Sequence, residues 1–291
     1  MIEARGAGGR KRLRLHGALL CLFLASNLVL AAAPARIVSL NLCTDSMLLE
    51  LMPTPYKLSL THLALDPALS PLAARAAQVS INHGLAEEVV AFAPDLILSG
   101  VSTPHQTAAL LTRLGYRVEY FPTAHSLAEF MEAFRRLGQL LERNADIEAR
   151  LADMLRSLHA TRSPDRGRES ALLISGNGYV PGPETLADDL IAAVGLRNAA
   201  EDYGLPEGGV LSLERLVQHP PQWLLLGTVG SGAPALASEF LRHPVLRRVV
   251  ADDRHLIAVP ESWWACGGTY FAAAAGAIAL NLQRVRETNL K

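Results

Sequence analysis

The chain has 291 residues, 50% of them hydrophobic, which is enough to bury a sizeable core and to build two domains. Its 27 Lys and Arg balance 28 Asp and Glu, so no basic excess points to a nucleic-acid partner. The N-terminus comes first. Arg10, Lys11, Arg12 and Arg14 precede an apolar run over 17–30 that is short for a membrane span and runs into alanines. This reads as a secretory signal peptide over 1–35, with Ala31, Ala33 and Ala35 offering cleavage before Arg36. An uncleaved signal anchor shares the pattern and stays open. Cys21 belongs to the apolar run, because Leu20 stands where a lipidation signal calls for a small residue. The remaining cysteines are Cys43 and Cys266, in an oxidising compartment.

Past the leader, 36–40 is a short buried strand, and 41–45 is a loop that caps a helix over 47–51. Further strands at 57–60, 79–81, 96–98 and 118–121 alternate with helical or loop segments such as 106–114, which predicts a largely parallel sheet. A long helical region covers 126–159 and breaks where Asn144 caps a new helix. In the second part Ile147, Leu151, Met154, Leu155 and Leu158 keep helical spacing, and 145–159 would reach about 23 Å. The polar turn 163–168 leads to a second set of strands at 171–174, 223–226 and 256–259. Helices are expected near 185–194, 212–218, 235–241 and 269–286, the last being an alanine-rich buried helix interrupted by glycine.

Two stretches repeat one phrase. Residues 87–100 and 214–227 each give a short helix, a proline stop and a buried apolar strand ending at glycine. The chain therefore divides into two α/β lobes, 36–143 and 163–291, with a connecting helix at 144–162. Glu87 and Glu214 open the repeated helix at equivalent places, so each lobe shows one carboxylate on the same relative surface.

With two lobes, a stiff connecting helix and a leader, the chain resembles the periplasmic binding proteins for iron complexes and cobalamin that serve ABC importers. Four phrases carry the resemblance: Arg36-Ile37-Val38-Ser39-Leu40, Pro94-Asp95-Leu96-Ile97, His243-Pro244-Val245-Leu246 and Val259-Pro260-Glu261-Ser262-Trp263-Trp264. The resemblance implies two Rossmann-like lobes with mainly parallel sheets, a ligand cleft between them, and only limited rocking about the single helix. It further implies a monomeric periplasmic carrier with no cofactor of its own, which docks on permease arginines through Glu87 and Glu214. A glutamate in a helix's first turn is also stabilised by the macrodipole, and that simpler reading stands beside the docking one.

Ligands of such sheets gather where loops leave the strands' carboxyl ends. Here those loops, 41–45, 61–63, 99–103, 175–179, 228–232 and 262–269, contain no lysine or arginine. A highly anionic chelate would call for basic partners, so the loops favour a large, mostly neutral guest. Tyr179, Trp263 and Trp264 offer aromatic faces, and Asn41, Thr44, Asn177 and Thr228 can bond peripheral amides. A corrinoid fits best, with haem or an iron siderophore as the alternative. Adjacent tryptophans also serve ordinary core packing, so one of the two is expected to reach ligand.

His62, His83, His105 and His125 fall in first-lobe loops without zinc-motif spacing, which suits surface histidines. His62, following a strand, is the candidate axial ligand to cobalt or haem iron. Cys43 and Cys266 lie in cleft loops of opposite lobes and are open to a disulfide, to free thiols or to ligation of a soft metal. No Gly-x-Ser-x-Gly, Gly-x-x-x-x-Gly-Lys or His-Glu-x-x-His motif occurs, so a binder is expected, with a metal-dependent enzyme on a two-lobed α/β scaffold as the remaining alternative.

Overall fold

A parallel sheet grows from the first apolar run after the leader. In the computed structural model, residues 33–101, 103, 105–161, 169–228, 243–249 and 255–289 are described. Contacts divide the chain into Met1–Ala33 and Pro34–Lys291, and every described element lies in the second unit. Residues 1–32 of the signal peptide expected over 1–35, and the helix expected at 235–241, lie outside the described residues.

The first half runs β1 (Arg36–Ser39), α1 (Leu42–Glu50), β2 (Lys57–Thr61), α2 (Ala73–Ala76), β3 (Ser80–Asn82), α3 (Ala86–Phe92), β4 (Leu96–Gly100), α4 (His105–Arg113) and β5 (Val118–Phe121). Its five strands lie in the order β3-β2-β1-β4-β5, all parallel. Two long helices follow, α5 (Leu127–Leu140) and α6 (Asn144–Ala160), with the break beside Asn144; Arg143 stands at the N-cap without a side-chain cap bond, so Asn144 is the first helical residue and not the expected cap. The 17 residues of α6 extend about 26 Å.

The second half comprises β6 (Ser170–Ile174), β7 (Tyr179–Val180), α7 (Leu186–Ala193), β8 (Arg197–Asn198), β9 (Gly209–Val210), α8 (Leu213–Gln218), β10 (Trp223–Thr228), α9 (Pro244–Val249), β11 (Leu256–Pro260) and α10 (Thr269–Asn289). Its main sheet has the order β11-β10-β6-β8, again parallel, and β7 pairs with β9 as a small antiparallel ribbon. The repeated phrase holds one position in each half: α3 feeds β4 beside β1, and α8 feeds β10 beside β6.

Strand alternation decides what each sheet face covers. Ile37, Leu96, Leu98, Leu173, Leu225 and Ile257 share one core cluster with helices α1, α5, α6, α7 and α10. Their alternating neighbours face outward into two smaller clusters, Val38 with Ile97 in the first half and Leu172 with Leu224 in the second. One apolar core therefore runs through both halves.

The segment 41–45 departs from expectation. It is the first turn of α1, because Asn41 Oδ1 accepts from the Cys43 and Thr44 amides at 2.9 and 3.4 Å and starts the helix at Leu42. An N-cap side chain supplying these bonds satisfies two otherwise orphaned donors.

Candidate functional site

The carboxyl ends of β1 to β4 rest on a bonded polar floor. Asn82 Nδ2 donates to Ser39 O and Ser59 Oγ, each at 3.1 Å, and Thr103 Oγ1 donates to Leu40 O at 2.9 Å. Asp45, with no exposed surface, accepts from Thr61 Oγ1 at 2.5 Å and from the Thr61 amide. Burial pushes its carboxyl up to about 7, against the opposing bonds from Ser39 and Thr61. Thr44 belongs to this floor: its hydroxyl lies 2.9 Å from Asn41 O and 2.7 Å from Ser39 Oγ, and the residue is 1% exposed. Both bonds are internal to the floor.

Glycine shapes the two strand ends alike. A Cβ on Gly100, ending β4, would stand 2.7 Å from Asn41 Nδ2. On Gly227, within β10, it would meet Glu261 Oε1 at 2.7 Å and Ser175 Oγ at 3.0 Å. Both positions thus let a polar side chain from the neighbouring strand's end lie across the sheet edge. Asn41 is satisfied there, whereas Glu261 Oε1 is buried with no hydrogen-bond partner.

Cys43 and Cys266 form a disulfide with Cα atoms 5.1 Å apart, joining the start of α1 to the segment before α10. Of the three alternatives for this pair, the bridge is the one realised, so neither sulfur is a thiolate ligand. Two turns along α1, Glu50 Oε1 accepts from the Thr269 amide at 2.8 Å, and Asp189 Oδ2 of α7 accepts from the Leu127 amide at 2.6 Å. The halves are clamped at these points.

Aromatic groups divide by exposure. Trp264 is 8% exposed and part of the common core, while Trp263 is half-buried with its ring centroid 6.4 Å from that of Tyr270. Tyr179 is 43% exposed at the start of β7. His62 is exposed, its ring stacked on that of His83 with centroids 5.1 Å apart. The neighbouring Glu88 takes the His83 amide at 2.6 Å and His83 Nδ1 at 3.0 Å, and those bonds hold its carboxyl below the usual range.

Glu87 is exposed in the first turn of α3. Glu214 is exposed in the first turn of α8, where bonds from its own amide and from Ser212 keep its carboxyl below the usual range. The repeat thus leaves a solvent-facing carboxylate at the same step of each half. Among the described residues no group of three or more His, Cys, Asp or Glu is placed to hold a metal ion, and no helix is long and apolar enough to cross a membrane.

A five-stranded and a four-stranded parallel sheet, with the long helices α5 and α6 between them in the chain, lie in one compact unit. The family model described as "Periplasmic binding protein" matches residues 37–255. The chain belongs to the periplasmic binding protein family. The cobalamin-binding protein of Halobacterium salinarum is 29% identical over 157 residues, which are 52% of this chain and 42% of that protein. The match thus spans well under half of the relative's length. Among solved structures, the periplasmic vitamin B12 binding protein BtuF of Vibrio cholerae superposes with a TM-score of 0.64 at 14% identity, covering 87% of this chain and 98% of that one. The periplasmic heme-binding protein RhuT from Roseiflexus sp. RS-1 gives 0.65 at 21% identity, covering 84% and 97%. These likenesses show the fold.

Asp45, Glu50 and Glu261 went unnoticed in the sequence. Asp45 falls there at the end of the 41–45 loop, and nothing local marks the burial of any of the three.

Proposed function

We propose that the protein is the periplasmic solute-binding component of an ABC importer, exported by its N-terminal signal peptide, and that it captures a corrinoid or related metal complex between its halves. The observation that carries the corrinoid is the charge pattern of the strand-end loops, which hold no lysine or arginine in either half. Half-buried Trp263 and exposed Tyr179 supply apolar faces, and Asn41 lies at the opposite strand ends. The curated relative of Halobacterium salinarum is named for cobalamin, which agrees with this choice. Delivery is to a permease, with Glu87 and Glu214 as the paired contacts.

A second reading, haem or a ferric siderophore, is favoured by the His83–Glu88 pair. A proton on Nδ1 shared with the carboxylate leaves Nε2 as a lone-pair donor, and His62 lies stacked beside it. Titration calorimetry separates the readings: cyanocobalamin is expected to bind below about 1 μM and ferric citrate weakly, and the reverse order defeats the corrinoid. Native mass spectrometry and visible absorption of protein taken from its own periplasm identify the guest by mass and colour.

A further inference from the structure

Between α1, α2, α6 and α10 lies a polar pocket open to solvent, with Arg75 exposed and Arg150 half-buried at its wall, that the proposed ligand site does not use. Its volume is about 210 Å³, and Glu50, Arg75, Arg150, Thr269 and Tyr270 line it, from α1, α2, α6 and α10. At about 30 Å³ per water it has room for a small ion together with several waters.

The charges in this cavity do not balance. Arg75 spends one N–H on Leu49 O at 3.2 Å, and neither Arg75 nor Arg150 has a salt-bridge partner among the described residues. The amino end of the 21-residue α10 adds partial positive charge. Facing them is one carboxyl, Glu50, which is 4% exposed. Its Oε1 is taken by the Thr269 amide, and its Oε2 is buried without a partner. Tyr270 is the remaining titratable group on the lining. Two guanidiniums and a helix N-terminus against one carboxyl leave the cavity net positive, and a buried polar atom without a partner calls for an occupant.

We propose that this cavity binds a small oxyanion, a carboxylate, phosphate or sulfate, held by Arg75, Arg150 and Glu50. Burial pushes the Glu50 carboxyl up to about 7, against the Thr269 bonds and the charges of Arg150 and Arg75. Below that pH, Oε2 carries a proton and donates to the anion; above it, a second negative charge repels the anion. The occupant touches both halves and the connecting helix, so it favours the interlobe angle that keeps all its partners in reach.

The test needs no transported ligand and is therefore independent of the corrinoid reading. Sulfate, phosphate and acetate are titrated calorimetrically into the full-length protein at pH 6 and pH 8.5 and constant ionic strength, with sulfate as the primary probe because its charge does not change between them. Saturable binding of at least one anion is expected, with sulfate about five-fold or more tighter at pH 6. R150Q, or R75Q should the first fail to fold, loses about ten-fold or more in affinity. E50Q keeps a donor in place and binds sulfate about equally at both pH values. No saturation by any of the three anions, affinity unchanged in the folded Arg variant, or an undiminished pH trend in E50Q overturns the site.

Discussion

Cys43 and Cys266, 223 positions apart, are joined by a 2.03 Å Sγ–Sγ bond that ties the first turn of α1 to the segment leading into α10. Closing so long a loop restricts the unfolded chain, with a usual effect of about 2–4 kcal/mol. The double variant C43S/C266S is expected to lose that much in urea denaturation. An unchanged midpoint at unchanged slope would show that the remaining clamps suffice.

Two buried carboxyls set a pH dependence whose sign follows from proton counts. Asp45 and Glu50 rise from 3.8 and 4.5 to about 7. Between about pH 4 and 7 the folded state holds more protons than the unfolded one, so stability falls as pH rises and the loss is complete above about 7. Each group accounts for at most about 3–4 kcal/mol. Denaturation curves at pH 5 and pH 8 are expected to favour pH 5, and E50Q to narrow the difference by recovering stability at pH 8. Equal stability of the wild type at the two values would contradict this assignment.

Charge reversal separates docking from helix stabilisation at Glu87 and Glu214. Both are exposed, so E87K/E214K is expected to leave the fold and ligand affinity intact while abolishing uptake in cells. A strain that still imports ligand at the wild-type rate removes the docking role.

Space at Gly227 is taken by the side chains that cross it. G227A would drive a methyl group to 2.7 Å from Glu261 Oε1, displacing the side chain into the cleft. A cost of about 1–3 kcal/mol is expected in thermal melts, together with weaker ligand binding. A variant with native melting temperature and native affinity would show that Glu261 moves aside freely.

Periodicity made the skeleton legible. Apolar runs bounded by turn residues located the five strands of the first sheet and three of the four in the second, the two-residue β8 being missed, and Asn144 marked the junction of α5 with α6, because those signals are local in sequence. Residues 41–45 were misread because Asn41 suits a loop as well as an N-cap, and only its bonds to the Cys43 and Thr44 amides distinguish the two. The paired strands β7 and β9 are two residues each, too short for an alternation to register. At the site, Trp263 and Trp264 were recognised as a pair in which one ring is expected to pack inward, and Trp264 is the buried one. Glu50 was invisible because its burial comes from α10, 219 positions away. The cysteine pairing stayed open for the same reason, since it depends on a distance between Cα atoms.

Because the inward sides of both sheets share one apolar mass with α5, α6 and α10, neither half carries a complete interior of its own. Cutting the gene after residue 161 would therefore yield two fragments that expose much of that interior, and these should aggregate singly and regain structure only when mixed.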